Sequence, residues 1–287
     1  MKIPSIENKS VLVTGCSSGI GLATAELLRS RGWRVFPTAR NARDLVSLHR
    51  ARFQAIKLDV TSSASIDAAV KAVLKENGGM LGAVVNNAGF GMPGAIEDLS
   101  RDAMRHQFEV NLFGLQELTN KLIPVFRKQG CGRIVNVSSV VGRVALPFMG
   151  IYSASKFALE AVSDALRVEL SPDRIGVSLV EPGPIETRFS ANCAGQGEEK
   201  LDPEKSRFGS TYRKYFEMRR TGGMSEDRFR LPPEAVAEKI LHALESPRPK
   251  IRYRVTLPAY LGAWAARFLP AGMIDRGMAA QVKKRFS

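Results

Sequence analysis

The stretch from Lys9 to Leu28 narrows the possible folds more than any other part of the chain. Lys9-Ser10-Val11-Leu12-Val13-Thr14 carries the continuous apolar run Val11-Leu12-Val13, the pattern of a short strand buried on both faces of a parallel sheet. It runs directly into Gly15-Cys16-Ser17-Ser18-Gly19-Ile20-Gly21, and the helical pattern Leu22-Ala23-Thr24-Ala25-Glu26-Leu27-Leu28 follows. Parallel strands need crossover helices, so this unit predicts an α/β architecture. Glycines let backbone come close to a ligand, and a helix N-terminus attracts anions. The turn therefore predicts a pyrophosphate site made by Gly15, Ser17, Ser18, Gly19, Ile20 and Gly21. The alternative is a turn that merely needs small residues, and the strand–helix placement favours the phosphate role.

The following strands end on residues that extend this site. Trp33 to Ala39 is a strand whose end would carry an acid in an NAD site; here Ala39 stands there and Arg40 follows. A guanidinium recognises a 2′-phosphate through paired charge-assisted hydrogen bonds, so NADP(H) is expected over NAD(H). Phe53 to Val60 reads as a third strand, placing Asp59 and Val60 at the cofactor. Asp59 suits an adenine amino group, or equally the cap of the helix after it. Leu81 to Asn86 is a fourth strand, followed by Asn87-Ala88-Gly89, where Asn87 either braces the strands or binds the ligand.

A helical region from Ser100 to Gln129 carries Asn111 and Gly114 mid-pattern. A buried Asn is locally unfavourable in a helix and marks a bend that can hold water. Arg133 to Ser139 is the fifth strand; Arg174 to Val180 is the sixth and leads into Glu181-Pro182-Gly183-Pro184-Ile185-Glu186-Thr187. Between them Tyr152-Ser153-Ala154-Ser155-Lys156 opens a helix running to about Leu170. Residues four apart share a helix face. The Lys156 ammonium is thus expected to lower the Tyr152 phenol from about 10 toward an acid–base catalyst's range. Ser139, at the end of the strand just upstream, aims at the same point. In an open parallel sheet the strand C-termini face one crevice, which gathers Gly15, Ala39, Asp59, Asn87, Ser139 and Pro182.

With these residues assembled, the chain resembles the short-chain dehydrogenase/reductase family across roughly residues 8–255. The matching signatures are Thr14 to Gly21, Asn86-Asn87-Ala88-Gly89, Asn111, Ser139, Tyr152-x-x-x-Lys156, and Pro182-Gly183 with Thr187. The resemblance implies that Tyr152 is the acid/base, that Ser139 orients the substrate oxygen and that Asn111 completes a proton relay. It implies that Lys156 binds the nicotinamide ribose and that Pro182, Gly183, Ile185 and Thr187 line the nicotinamide side. It further implies a single-domain Rossmann fold with a doubly wound, parallel, seven-stranded sheet whose last strand is 251–255. Pairing of the helices that carry Asn111 and Tyr152 in a homodimer or homotetramer is implied likewise. The pattern is also similar, more weakly, to the hydroxysteroid and retinol dehydrogenase branch. An NADP(H)-dependent oxidoreductase interconverting a lipophilic carbonyl compound and its alcohol is expected. A non-catalytic NADP(H) redox sensor acting through a protein partner is the alternative, and the intact proton-relay residues argue against it.

Residues 1–255 are expected to form the catalytic domain, with 188–230 an irregular insertion that covers the substrate. Phe148, Met149, Phe189, Tyr212, Tyr215 and Phe216, with Ser139, are its candidate substrate contacts; the alternative is that these aromatics only pack the cover onto the core. Residues 256–287 are expected to form a basic helical extension packed on the same domain. Tyr260, Leu261, Trp264, Ala265 and Phe268 share one of its helical faces. Of the formal charge of +14, +10 falls in residues 200–287. The basic residues are scattered and no nucleic-acid module accompanies them, so nucleic acid is not expected as a partner. Peripheral membrane contact through the basic extension is an option. Met1 to Glu7 lacks the apolar run of a signal peptide, and no apolar stretch approaches the ~20 residues that span a bilayer. Cys16, Cys131 and Cys193 have neither disulfide nor metal spacing, so a reduced, cytoplasmic setting without a metal is expected.

Overall fold

Alternation of apolar residues along each strand decides how the layers form. In a computed structural model describing residue 4, residues 6–220 and residues 229–286, β1 (Ser10–Val13), β2 (Arg34–Ala39) and β3 (Ile56–Lys57) are followed by β4 (Ala83–Asn86). Then come β5 (Gly132–Val137), β6 (Ile175–Pro182) and β7 (Arg252–Val255), and all seven join one parallel sheet in the order β3-β2-β1-β4-β5-β6-β7. Val11, Val13, Ala83, Val85, Val135 and Val137 point to one face, where they meet α1 (Gly19–Ser30) and α9 (Glu234–Glu245) through Ala25, Leu28, Val236, Ile240 and Leu244. Leu12, Val84 and Ile134 point to the other, against α3 (Ser63–Glu76), α5 (Gly114–Gln129) and α6 (Gly150–Glu169). Strand residues apolar on both faces therefore fix the doubly wound arrangement.

One element departs from the sequence expectation. The third strand is only Ile56–Lys57, not 53–60. It is an edge strand with a single neighbour, and Phe53 is drawn out of line to pack in the core beneath the Arg29 guanidinium, 3.9 Å from its ring centre. The region 100–129 is helical as expected, but its ladder is not regular. α4 (Arg101–Phe108) passes through a wide π-turn, Glu109–Phe113, into α5, so the buried Asn111 marks a break in the regular ladder. The first residue of α5 must be glycine, because a Cβ on Gly114 would lie 1.8 Å from the Val60 carbonyl oxygen.

After β6 the chain forms α7 (Phe189–Lys200) and α8 (Gly209–Arg220); residues 221–228 of the expected insertion lie outside the described residues. It ends in α10 (Leu257–Phe268) and α11 (Ala271–Phe286). α10 turns its smallest residues, Ala259 and Ala263, to the domain, and its large apolar face does not pack there: Tyr260, Leu261, Trp264 and Phe268 are all more than half exposed. Among the described residues no helix is long and apolar enough to cross a membrane.

Candidate active site at the strand ends

The glycine turn is built for close approach. Gly15 has φ +72°, and a Cβ on it would stand 2.9 Å from the Ala88 backbone; a Cβ on Gly21 would stand 2.3 Å from the Gly15 oxygen. Ser18 precedes α1 but makes no capping hydrogen bond, which leaves the helix's first N–H groups without a side-chain acceptor. Such a cradle fits the pyrophosphate of a dinucleotide cofactor. The Asn87 side-chain amide donates to the carbonyls of Thr14 at 2.9 Å and Gly15 at 3.1 Å, so it fastens the end of β4 to the turn. The Asn87 and Ala88 N–H groups both donate to Thr14 Oγ1.

Arg40 stands exposed just beyond β2, and its charge reaches Asp59. Burial alone would raise the Asp59 carboxyl, but hydrogen bonds from Thr61 and the Arg40 charge outweigh it and hold the group below its ordinary range. Asp59 accepts from the Thr61 N–H at 3.0 Å and hydroxyl at 2.8 Å, while Ser62 caps α3. The Val60 side chain is in the core, so any ligand contact from it is left to its backbone. On the far side the loop after β6 closes over the turn: Thr187 Cγ2 would lie 2.9 Å from a Cβ on Gly19. Gly183 donates to the Val255 carbonyl, and Ile185 bridges to Leu231.

Ser139, Tyr152, Lys156 and Asn111 converge beside this cradle. Ser139 Oγ accepts from the Val141 N–H, donates to the Pro182 carbonyl at 3.4 Å and lies close enough to the Tyr152 phenol to act on it. Lys156 Nζ donates to the Val137 carbonyl at 2.8 Å and lies 6.0 Å from the Tyr152 ring centre. The Asn111 amide accepts from the Phe90 N–H at 3.1 Å, and donates to the Phe90 carbonyl at 2.9 Å and to Ser155 Oγ at 3.1 Å. A Cβ on Gly89 would fall 3.2 Å from Asn111 Oδ1 and 3.8 Å from Lys156 Nζ, so these two polar groups share one small space.

The electrostatics correct one expectation. Burial pushes the Tyr152 phenol well above its ordinary value; the nearby Cys193 thiol adds to the rise, and the Ser139 hydrogen bond only partly opposes it. Burial also pulls the Lys156 ammonium down to about 8, against the raising influence of Glu160. Desolvation penalises both charged forms and exceeds the attraction between them. Tyr152 therefore rests as a phenol.

The cover over Tyr152 is Phe189, whose ring centre lies 5.6 Å from that of Tyr152. Met149, Cys193 and Phe189 crowd one point, each having an atom within 3.2 Å of a Cβ placed on Gly91. Phe148 holds φ +60°, and its carbonyl accepts from the Gly94 N–H, so this wall is set by strained backbone. Tyr212, Tyr215 and Phe216 are buried with Met92, Ala95 and Leu99 and hold α8 to the domain, with Phe148 packed against the same cluster. The Tyr212 hydroxyl donates to Asp98 and accepts from the Ala95 N–H at 2.9 Å. Of the three, Tyr215 keeps an edge on the site, its hydroxyl 4.0 Å from Met149 Sδ. Sequence reasoning missed Gln107, which clamps the loop after β4 by accepting from the Met92 N–H and donating to the Phe90 carbonyl. Its spacing of four from Asn111 was the available signal; Cys193 offered none. Among the described residues no cluster of acidic, His and Cys side chains is placed to hold a metal.

The sequence profile described as short chain dehydrogenase matches residues 9–196. An uncharacterized oxidoreductase, YbbO, of Escherichia coli K12 is 41% identical over 271 residues, covering 94% of each chain. Human 17-beta-hydroxysteroid dehydrogenase type 1 is 34% identical, with 91% of this chain and 78% of that protein covered. A Burkholderia phymatum short chain dehydrogenase/reductase solved in complex with NAD superposes with a TM-score of 0.77 at 25% identity, covering 96% of this chain and 97% of that one.

Proposed function

Because the chain belongs to the short-chain dehydrogenase/reductase family, an enzyme family of NAD(P)-binding oxidoreductases, we propose that it reduces a lipophilic aldehyde or ketone with NADPH, or runs the reverse oxidation. The observation that carries this reading is the meeting of Ser139, Tyr152 and Lys156 beside an uncapped glycine turn. The bound nicotinamide supplies or accepts the hydride. Ser139 holds the substrate oxygen, and Tyr152, kept protonated by burial, donates its proton to that oxygen as charge develops. Lys156 then stabilises the phenolate left behind, and Asn111 holds the polar end of the path that restores the proton. Arg40 favours NADP(H), because no carboxylate stands at the end of β2 to repel a 2′-phosphate.

The apolar character of Phe148, Met149 and Phe189 suits a lipophilic substrate of retinoid, steroid or fatty-aldehyde type. Phe113, Phe157 and Val168, on the π-turn and α6, are 54%, 44% and 65% exposed, which suits a homodimer that covers them. The test is NADPH oxidation against a panel of aldehydes, ketones, steroids and retinoids, with Tyr152→Phe alongside. Turnover by the native chain and none by the variant, at unchanged NADPH affinity, is expected. Near-normal turnover in Tyr152→Phe would refute the mechanism.

A further inference from the structure

α10 is amphipathic in the wrong sense for a helix that serves only its own domain. Its small side packs on the turn after Ser139, where Gly262 leaves only enough room for Val140: a Cβ there would come within 2.9 Å of that side chain. Its large side, carrying Tyr260, Leu261, Trp264 and Phe268, faces outward at 53%, 56%, 54% and 62% exposure. Four such side chains on three turns form a contiguous apolar patch, of a kind that monomers rarely leave uncovered. Tyr and Trp are the aromatics that settle at the boundary between water and lipid.

Charge selects the occupant. From residue 256 onward there are five basic residues, Arg267, Arg276, Lys283, Lys284 and Arg285, against the single acid Asp275. Arg267 flanks the patch, its guanidinium 5.9 Å from the Phe268 ring. We propose that the α10 face docks this protein on the surface of an anionic lipid bilayer, with Tyr260, Leu261, Trp264 and Phe268 entering the headgroup region and Arg267, Arg276, Lys283 and Lys284 drawn to lipid phosphates. The exposed face of Phe113, Phe157 and Val168, on the π-turn and α6, is separate from this patch. The position is also useful. α10 begins at Thr256, against Gly183 of the loop closing over the cofactor cradle, and α11 touches α8 of the substrate cover. Docking thus brings the substrate entrance close to the membrane; only this last consequence rests on the proposed lipophilic substrate.

The chain has two tryptophans, and they separate cleanly as probes. Trp33 is buried and donates to Glu245, while Trp264 is exposed, so a lipid-induced blue shift in emission reports on α10. The full chain is sedimented with vesicles of phosphatidylcholine alone and of phosphatidylcholine with phosphatidylglycerol, at low and high salt. Binding to the anionic vesicles with a blue shift, weakened by salt, is expected. Leu261→Asp and Phe268→Asp, both at exposed sites, are expected to weaken it at least about tenfold each while NADPH oxidation in solution is retained. No binding to anionic vesicles, equal binding to neutral ones, or variants that sediment like the native chain would overturn the proposal. So would lipid-free self-association that the two substitutions abolish, because a second copy would then be the occupant. Loss of NADPH oxidation by the native chain would instead sink the enzymatic reading and leave the docking result standing.

Discussion

Replacing Lys156 with Met is expected to stabilise the cofactor-free protein at neutral pH while destroying its activity. Lys156 is buried, and its ammonium falls from an ordinary 10.5 to about 8. At about 1.4 kcal/mol per tenfold change in proton affinity, holding that charge in the folded state costs roughly 3 kcal/mol at pH 7. Met has similar length and no charge. It gives up the hydrogen bond to the Val137 carbonyl, worth about 1 kcal/mol. The net gain is roughly 2 kcal/mol. Its sign depends on pH. Because the folded-state value lies below the unfolded one, the penalty is full below about 8 and fades as pH rises toward 10.5. The advantage of the variant should therefore shrink above pH 8 and reverse near about pH 10. Urea unfolding of both proteins at pH 7 and pH 10 measures this directly. A variant less stable than the native chain at pH 7, with a gap that pH does not change, would show that no desolvation penalty acts on Lys156.

Other consequences are equally accessible. Arg40→Asp should move the ratio of kcat/KM for NADPH over NADH toward NADH by at least about tenfold, as expected for loss of a charge-assisted pair; an unchanged ratio would remove Arg40 from the cofactor site. Gly21→Ala should abolish cofactor binding, read by NADPH fluorescence, because the new Cβ meets the Gly15 oxygen at 2.3 Å. Reduction should decline above about pH 8 as Lys156 loses its proton, and a rate flat to pH 10 would count against the role given to that ammonium. Phe189→Ala should lower KM for bulky substrates by uncovering Tyr152, with little change for small aldehydes.

Much of this architecture is legible in the chain because it is written in local terms. A strand apolar on both faces, a turn that admits no side chain and a tyrosine four residues before a lysine are each short patterns with a physical cause. What escaped depends on contacts between distant residues. The ladder linking Asn86 to Thr119 and Asn136, and Asn136 to Ser163, is invisible until β4, β5, α5 and α6 are laid side by side. The rise in the Tyr152 phenol escaped for the same reason, since it comes from burial beneath a helix nearly forty positions later. Tyr212 reads as a pocket wall by composition, and only its hydrogen bonds to Asp98 and Ala95 reveal a fastening.

That fastening determines which part of the cover can swing. Ser206, in the loop just before α8, also donates to Asp98, so that loop and the helix are both fastened to the short turn Ile96–Asp98. Those bolts and the buried aromatic ring cluster would have to be sacrificed for α8 to leave. α7 instead meets Tyr152 through the Phe189 ring, with the Cys193 thiol nearby. Substrate admission is therefore expected to move the first turn of α7, around Phe189, before it moves α8, and hydrogen exchange of the two helices on adding substrate would show which one opens.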